Sequence, residues 1–272
     1  MKTDANITID MESTAGILSW LDPDLMMKMS VVMGGLFGLA TNVAPRFIGS
    51  LFCSSTKEAR EQLNYRAVSL CSYVGAGELS SALIFYCLIW EQTTIFTAIQ
   101  VSYAFWVYYQ TRFIAEAPLL DPSCLCLAVV IFAFMAHAMT WEQQAATIAI
   151  QVAAAFWIAQ GLAFALAPEL ASKLWRFDLK KSENGGDEWT PLAITMTRYL
   201  GFWLTANTAG HICLASASGT VRQAMVCWHL GHGGWLLTGL LGGELKEASV
   251  LVGPAVFWIL YHTAVIYALL MN

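Results

Sequence analysis

The chain has 272 residues, of which 57% are hydrophobic and only 12% are charged, and its mean hydropathy is +0.57. A soluble domain carries about 25% charged residues, so this composition argues against a water-soluble fold and for a membrane protein. The net charge of −5 leaves no large basic surface, which argues against nucleic acid as a partner.

The chain begins with a polar, acidic tail that we place at residues 1–25. The tail lacks the basic start and short apolar core of a cleaved secretory signal, so we expect the first apolar segment to direct membrane insertion. Eight apolar segments follow, each long enough to cross a bilayer. Their expected limits are 26–44, 66–89, 95–114, 123–140, 145–167, 191–215, 222–242 and 248–270.

These apolar segments predict an all-α fold. Backbone polar groups in hydrocarbon must bond to one another, which only helices and closed barrels achieve. The segments lack the alternation of apolar and polar residues that barrel strands require. We therefore predict a polytopic integral membrane protein with about eight transmembrane helices.

One passage of the chain occurs twice. Residues 90–92 and 141–143 both read Trp-Glu-Gln, and Ala-Ile-Gln-Val follows at the same spacing in residues 98–101 and 149–152. Each copy leads from a polar turn into an apolar segment, so the period matches one pair of membrane-crossing helices. The pattern indicates duplicated transmembrane hairpins.

A second repetition relates the two halves of the chain. An Ala-Pro pair closes the first apolar segment at Pro45 and the fifth at Pro168, and a short amphipathic piece follows each pair. We therefore divide the membrane part into two four-helix repeats, residues 26–142 and 143–272. An even number of spans gives both repeats the same orientation, which predicts a two-fold axis along the membrane normal.

An arginine opens the second helix of each repeat, Arg66 in the first and Arg198 in the second, and this pairing aligns Glu78 with Gly210. The order of helix, Ala-Pro, interfacial segment and then Arg-Tyr-Leu-Gly at residues 198–201 resembles the DoxX-like group of small four-helix membrane proteins. The resemblance covers each half once, although the recurrent Arg-x-x-Gly of that group stands only in the second half. It implies a four-helix bundle used twice and carries over no catalytic residue or cofactor.

The positive charges predict the orientation. Most of the 14 Lys and Arg residues lie in the loops after the first, third, fifth and seventh segments or at the adjoining helix ends. Cytoplasmic loops hold an excess of Lys and Arg, so we expect both termini on the non-cytoplasmic side. The identity of the membrane stays open.

Two polar residues inside the segments are candidates for a transport path. Glu78 is the one carboxylate near the middle of a segment, where ionisable groups are costly and are functional hypotheses by default. It is a candidate proton carrier or cation ligand, or else a protonated group bonded to a neighbouring helix. Asn207 is the second candidate, with helix-to-helix bonding as the alternative.

Histidines form the other candidate site. His211, His229, His232 and His262 lie in the second half, and neutral imidazoles are common ligands of haem iron, copper and zinc. The alternative is that each donates one hydrogen bond across the bundle. His137 and His262 hold matched positions in the two halves, which predicts symmetric bonding across the two-fold axis.

Several enzyme classes lack their required parts in this chain. The sequence has no phosphate-binding Gly-x-x-x-x-Gly-Lys loop, no His-Glu-x-x-His helix and no Gly-x-Ser-x-Gly elbow. No aspartate lies inside any segment, which removes aspartate-rich magnesium sites. The sequence therefore favours a protein without enzymatic activity and requires no cofactor.

Three functional hypotheses follow. The first is a non-catalytic scaffold, assembly factor or complex subunit, whose partners would be the lipid bilayer, other membrane proteins or a second copy of the chain. The second is a carrier of a small solute or a proton that uses Glu78 and Asn207. The third is a redox protein that binds haem or a metal through histidines of the second half.

Overall fold

The computed structural model describes residues 22–116, 122–174 and 189–271. Most of the expected acidic tail, residues 1–25, lies outside these ranges. The described ranges are helical throughout apart from their connections, and they contain one isolated β-bridge, between Cys53 and Val250, and no strand. The all-α fold class is confirmed.

Twelve helices lie within the described ranges, eight of them long and four short. In chain order they are α1 (Pro23–Val43), α2 (Pro45–Phe52), α3 (Lys57–Gln62), α4 (Tyr65–Ile89), α5 (Ile95–Glu116), α6 (Pro122–Ala138), α7 (Gln143–Leu166), α8 (Pro168–Leu174), α9 (Pro191–Ala215), α10 (Val221–Leu241), α11 (Glu244–Glu247) and α12 (Val252–Met271).

Each of the eight predicted segments coincides with a long helix. Four of these helices, α1, α4, α7 and α12, are long and apolar enough to cross a membrane. The last segment begins later than predicted, at Val252 rather than 248, because the short helix α11 and a turn come first. Gly243 and Ser249 have positive φ angles of 80° and 57° there, which a continuous helix does not allow.

Local sequence signals explain where the helices begin. The side chains of Asp22 and Thr190 accept hydrogen bonds from backbone N–H groups at the starts of α1 and α9, and a proline follows each cap. Thr220 and Gln223 form a reciprocal capping box at the start of α10. Pro45 has no N–H group, so α1 ends before it and α2 begins at it.

The long helices form a closed ring. Each one packs against the next long helix in the chain, and α12 packs back against α1. The helices α4 and α9 also pack against each other across the ring. This central contact divides the interior into two separate spaces.

The outer surface of the ring is apolar, whereas buried polar side chains lie inside. Leu36, Val152 and Leu260 are each 60% or more exposed on long helices. A contiguous apolar surface of this kind is typical of a protein that contacts lipid. The arrangement agrees with an integral membrane protein.

Glycines allow two helix pairs to approach closely. A Cβ atom added to Gly38 of α1 would lie 2.7 Å from the Gly75 carbonyl oxygen of α4, and one added to Gly201 of α9 would lie 2.6 Å from the Gly161 carbonyl oxygen of α7. Small residues at these points bring the backbones into direct contact.

We predict that Gly38→Ala destabilises the protein and that Gly35→Ala, in the same helix, does not. The new methyl group at Gly38 would meet backbone atoms that cannot give way, whereas the nearest atom at Gly35 is Ala82 Cβ at an ordinary 3.7 Å. Overpacking of this kind costs about 1–3 kcal/mol. Thermal unfolding in detergent, followed by circular dichroism, measures the difference, and equal melting temperatures for the two variants would contradict the close approach.

Candidate functional site

A cavity of about 150 Å³ lies among α1, α4, α9, α10 and α12. We call it the histidine cavity, after the three histidines in its lining. The polar lining residues that bond to one another are Ser30, Glu78, Tyr199, His229, His232 and His262, and each of these six is at least nine-tenths buried. Thr41 and Tyr261 also line the cavity, and most of the remaining wall is apolar or aromatic.

Helix geometry places these side chains together. His229 and His232 are three residues apart in α10, so they share one helical face, and Trp228 precedes them. Glu78 lies near the middle of the 25-residue helix α4. The site is therefore far from either end of the bundle.

Both oxygens of the Glu78 carboxyl group are bonded. The Tyr199 hydroxyl donates to Oε1 at 2.7 Å, and the Trp228 indole N–H donates to Oε2 at 3.2 Å. His232 Nε2 lies 3.2 Å from the same Oε2 atom. The carboxyl group is 2% exposed, so these three partners replace the water that it loses on burial.

The hydrogen-bond partners determine where the protons of this group lie. The Tyr199 oxygen is 2.8 Å from His232 Nδ1 as well as bonded to Glu78. With its one proton given to Glu78, the hydroxyl accepts from His232 Nδ1–H. A hydrogen bond between His232 Nε2 and Glu78 Oε2 requires one further proton, and whichever atom holds that proton, the pair has no net charge.

A second hydrogen-bonded group lies beside the first. His229 Nδ1 is 2.8 Å from His262 Nδ1, so one of these nitrogens carries a proton and the other accepts it. His229 Nε2 is 3.0 Å from the Ser30 hydroxyl, which is itself 3.2 Å from the Tyr261 hydroxyl. The chain of contacts links α10, α12 and α1.

His262 joins the two groups. Its ring centroid is 5.1 Å from that of His229 and 5.1 Å from that of His232, with the second pair stacked. Its Nδ1 atom contacts His229, whereas its Nε2 atom has no hydrogen-bond partner within the described part of the chain.

One end of the histidine cavity is closed by backbone hydrogen bonds outside the long helices. Leu251 N–H donates to Phe52 O at 2.8 Å, and Ser54 N–H donates to Ser249 O at 2.8 Å. Cys53, between them, lines the cavity. Burial raises the pKa of the Cys53 thiol, so this group stays protonated and is a poor nucleophile near neutral pH.

The other two sequence candidates lie elsewhere. Asn207 and His211 line a second cavity of about 70 Å³, which we call the aromatic cavity after Tyr73, Tyr103, Trp106, Phe132 and Trp157 in its wall. Asn207 Oδ1 accepts from Ser81 at 2.9 Å, and its Nδ2 atom is 3.5 Å from His211 Nε2. The structure therefore brings together Glu78 with three of the four candidate histidines, and it separates His211 and Asn207 from them.

The expected symmetric bonding of His137 and His262 is wrong. His137 is exposed and packs edge-on against Trp141, with ring centroids 5.9 Å apart. His262 is 8% exposed and bonds to His229 instead. The two histidines occupy different levels of α6 and α12, so no symmetry relates their surroundings.

Sequence reasoning missed Ser30, Tyr199, Trp228 and Tyr261 as members of the site. The only sequence feature that could have indicated Trp228 as a site residue is its position next to His229. The partners of Glu78 are more than 100 residues away along the chain, and no local pattern predicts such a contact.

The metal hypothesis finds no assembled ligand set. Among the described residues, no three His, Cys, Asp or Glu side chains are arranged to hold a metal ion. Both ring nitrogens of His229 and of His232 are already engaged in hydrogen bonds. A haem or metal ion would have to displace these bonds.

Comparison with protein-family models, with curated proteins and with solved structures finds no match for this chain. The site must therefore be interpreted from its own geometry.

We predict that Tyr199→Phe destabilises the protein by about 1–3 kcal/mol, because the variant leaves buried Glu78 and His232 atoms without their bridging hydroxyl. Tyr267→Phe is the matched control, since its hydroxyl has no hydrogen-bond partner among the described residues and does not line the cavity. Thermal unfolding in detergent compares the two. An unchanged melting temperature in Tyr199→Phe would show that the bridge contributes nothing.

Proposed function

We propose that this protein is an eight-span membrane protein that carries protons through the histidine cavity. The observation that carries the proposal is the buried pair of Glu78 and His232 near the middle of the bundle, whose Oε2 and Nε2 atoms lie 3.2 Å apart. Such a pair exchanges a proton without leaving a net charge in the low-dielectric interior.

Helix packing supports the proposed duplication. Every major contact of the first four long helices has a counterpart among the last four when α1, α4, α5 and α6 are matched with α7, α9, α10 and α12. The close approach of Gly38 to Gly75 corresponds to that of Gly161 to Gly201. These matches agree with two four-helix repeats, the fold that the resemblance to the DoxX-like group implies, and the resemblance itself stays a prediction.

The helix caps set the register between the repeats. Asn64 and Thr94 cap α4 and α5, and Thr190 and Thr220 cap α9 and α10. Thr190 follows Asn64 by the same number of residues as Thr220 follows Thr94. The caps therefore support one common offset for both helix pairs.

This register replaces the pairing of Arg66 with Arg198. Arg66 is the second residue of α4, whereas Arg198 lies two turns into α9 and forms an ion pair with Glu244. With the caps aligned, Leu204 rather than Gly210 corresponds to Glu78. Leu204 lines the aromatic cavity, as Glu78 lines the histidine cavity.

Several lining residues of the two cavities then correspond. Tyr199 matches Tyr73, and each lines its own cavity. His262 stacks beside His229 and His232 in the same way that Phe132 packs beside Tyr103 and Trp106. The carboxylate and the three histidines of the histidine cavity correspond to aromatic or aliphatic residues of the aromatic cavity. The pairs, with the histidine-cavity residue first, are His229 and Tyr103, His232 and Trp106, His262 and Phe132, and Glu78 and Leu204.

The aromatic cavity acts as an internal comparison. It fills the same space between equivalent helices without a carboxylate or a histidine at the matched positions, so packing alone does not require them. Buried ionisable groups cost free energy in a membrane and are retained where they serve a function. Proton carriage is the function that this set of groups supports best.

We expect Glu78→Gln to abolish proton movement. The purified protein is reconstituted into vesicles that contain a pH-sensitive dye, and a pH gradient is imposed. Glutamine keeps the size of the side chain but cannot release a proton, so flux should fall to the level of protein-free vesicles. His211→Gln, a buried histidine of the aromatic cavity, is the matched control and should keep the flux of the unmodified protein.

Two results would contradict proton carriage. The first is an unmodified protein whose flux does not exceed that of protein-free vesicles, which would favour a scaffold or complex subunit. The second is an equal effect of Glu78→Gln and His211→Gln, which would mean that any buried polar change lowers flux.

The proposed topology has its own test. Lys57 and Glu142 are exposed and follow the first and fourth predicted spans, so eight spans with non-cytoplasmic termini place them on opposite sides. An impermeant maleimide should label Glu142→Cys in intact cells and Lys57→Cys only after permeabilisation. The unmodified chain corrects for native cysteines. Labelling of Lys57→Cys from outside would overturn this orientation.

A further inference from the structure

We infer that the histidine cavity binds a small, neutral aromatic molecule with one hydrogen-bonding group, which bonds to Nε2 of His262. The inference rests on the proposed function because it names a ligand for the same cavity. Binding at equilibrium does not require proton movement, so the two fail separately.

The size of the cavity suits one aromatic ring. Its volume is about 150 Å³. A protein cavity of roughly 150 Å³ with apolar walls holds benzene.

A glycine of α1 lets the Trp228 ring of the cavity wall approach the α1 backbone. Gly34 of α1 packs so close to Trp228 that an added Cβ atom would lie 2.5 Å from the indole ring. In the register set by Gly38 and Gly161, the residue that matches Gly34 is Trp157, whose side chain lines the aromatic cavity. The aromatic cavity is smaller, at about 70 Å³.

The wall favours an aromatic ligand. Trp228, Trp235, Trp258 and Tyr261 line the cavity, and their rings offer faces and edges for stacked or edge-on contact. Such contacts contribute about 0.5–1.5 kcal/mol beyond the burial of area.

The polar groups of the wall leave two nitrogens without a partner. One is the buried indole Nε1 of Trp235, which is a donor only, and the other is an imidazole nitrogen. Glu78, Tyr199, His232, His229 and Ser30 bond to one another, which leaves His262 Nε2 as the imidazole nitrogen without a partner in the described ranges. The His262 residue is 8% exposed, and a polar atom that faces an apolar cavity without a hydrogen bond is unfavourable. A ligand that bonds there removes that cost.

His262 Nε2 is an acceptor. The Ser30 hydroxyl donates its one proton to Met26 O at 2.8 Å, so it accepts from His229 Nε2–H. His229 then accepts at Nδ1 from His262, which leaves His262 Nε2 without a proton. A hydroxyl group on the ligand can donate to this nitrogen.

Charge balance selects a neutral ligand. Glu78 and His232 together have no net charge, so the cavity holds no free charge to compensate an ion. An ion would lose its hydration without replacement, at a cost that a single hydrogen bond does not offset.

Phenol, benzene and tetramethylammonium are the probes that test the inference. The full chain is placed in lipid nanodiscs, and binding of each probe is measured by saturation-transfer NMR against protein-free nanodiscs. We expect phenol to bind about tenfold more tightly than benzene, since one hydrogen bond separates them. Tetramethylammonium should not compete with phenol.

Variants then locate the bond. His262→Phe introduces phenylalanine, the residue found at the corresponding position of the aromatic cavity, Phe132. This variant should remove the preference for phenol while benzene still binds. His262→Gln retains a hydrogen-bonding group and should keep part of the preference. His211→Phe in the aromatic cavity is the matched control and should leave phenol binding unchanged. Circular dichroism checks that each variant is folded.

Three outcomes would overturn the inference. They are equal binding of phenol and benzene, a preference for phenol that survives His262→Phe, and displacement of phenol by tetramethylammonium. Loss of proton flux in Glu78→Gln together with any of these would leave proton carriage standing without this ligand. Phenol binding that depends on His262, in a protein without proton flux, would leave the ligand site standing without the carrier.

Discussion

The arrangement around Glu78 is the constraint on which the rest of the structure depends. A carboxyl group buried to 2% exposure in the middle of α4 must replace its hydration with protein donors. Tyr199 supplies one from α9, and Trp228 and His232 supply the others from α10. These bonds fix α4 against both helices, and the same helices then place His229 where it meets His262. The position of one costly group therefore sets the registry of the helices around the cavity.

Contacts outside the two cavities also hold the helices together. Close backbone contacts at Gly38 with Gly75 and at Gly161 with Gly201 join two helix pairs. The aromatic cavity is lined mainly by rings, whereas the histidine cavity is lined by rings together with a carboxylate and three histidines. In the duplication that we propose, the glycine contacts stabilise both halves, so one of the two cavities can contain titratable groups.

Much of the fold follows from the sequence, and less of the site does. Proline and capping residues mark the starts of α1, α9 and α10 because their effect is local. The pairing of Arg66 with Arg198 depends on residue type alone, which does not determine depth in a helix, and the two arginines lie at different distances from the starts of α4 and α9. His137 was matched with His262 for the same reason, yet it is exposed. Glu78 and three of the four candidate histidines do meet, because buried polar side chains on neighbouring apolar helices have few other partners.

The sequence by itself determined the helical class, the positions of the eight apolar segments and the identity of the costly buried groups. These properties depend on hydropathy, on proline and caps, and on the absence of water in the membrane core, all of which act locally. Only the tertiary structure decided which groups meet. The bonds of Glu78 to Tyr199 and Trp228 cross more than 100 residues, and the separation of His211 from His262 depends on the central contact of α4 with α9. Such contacts arise from helix packing in three dimensions, which no spacing along one helix encodes.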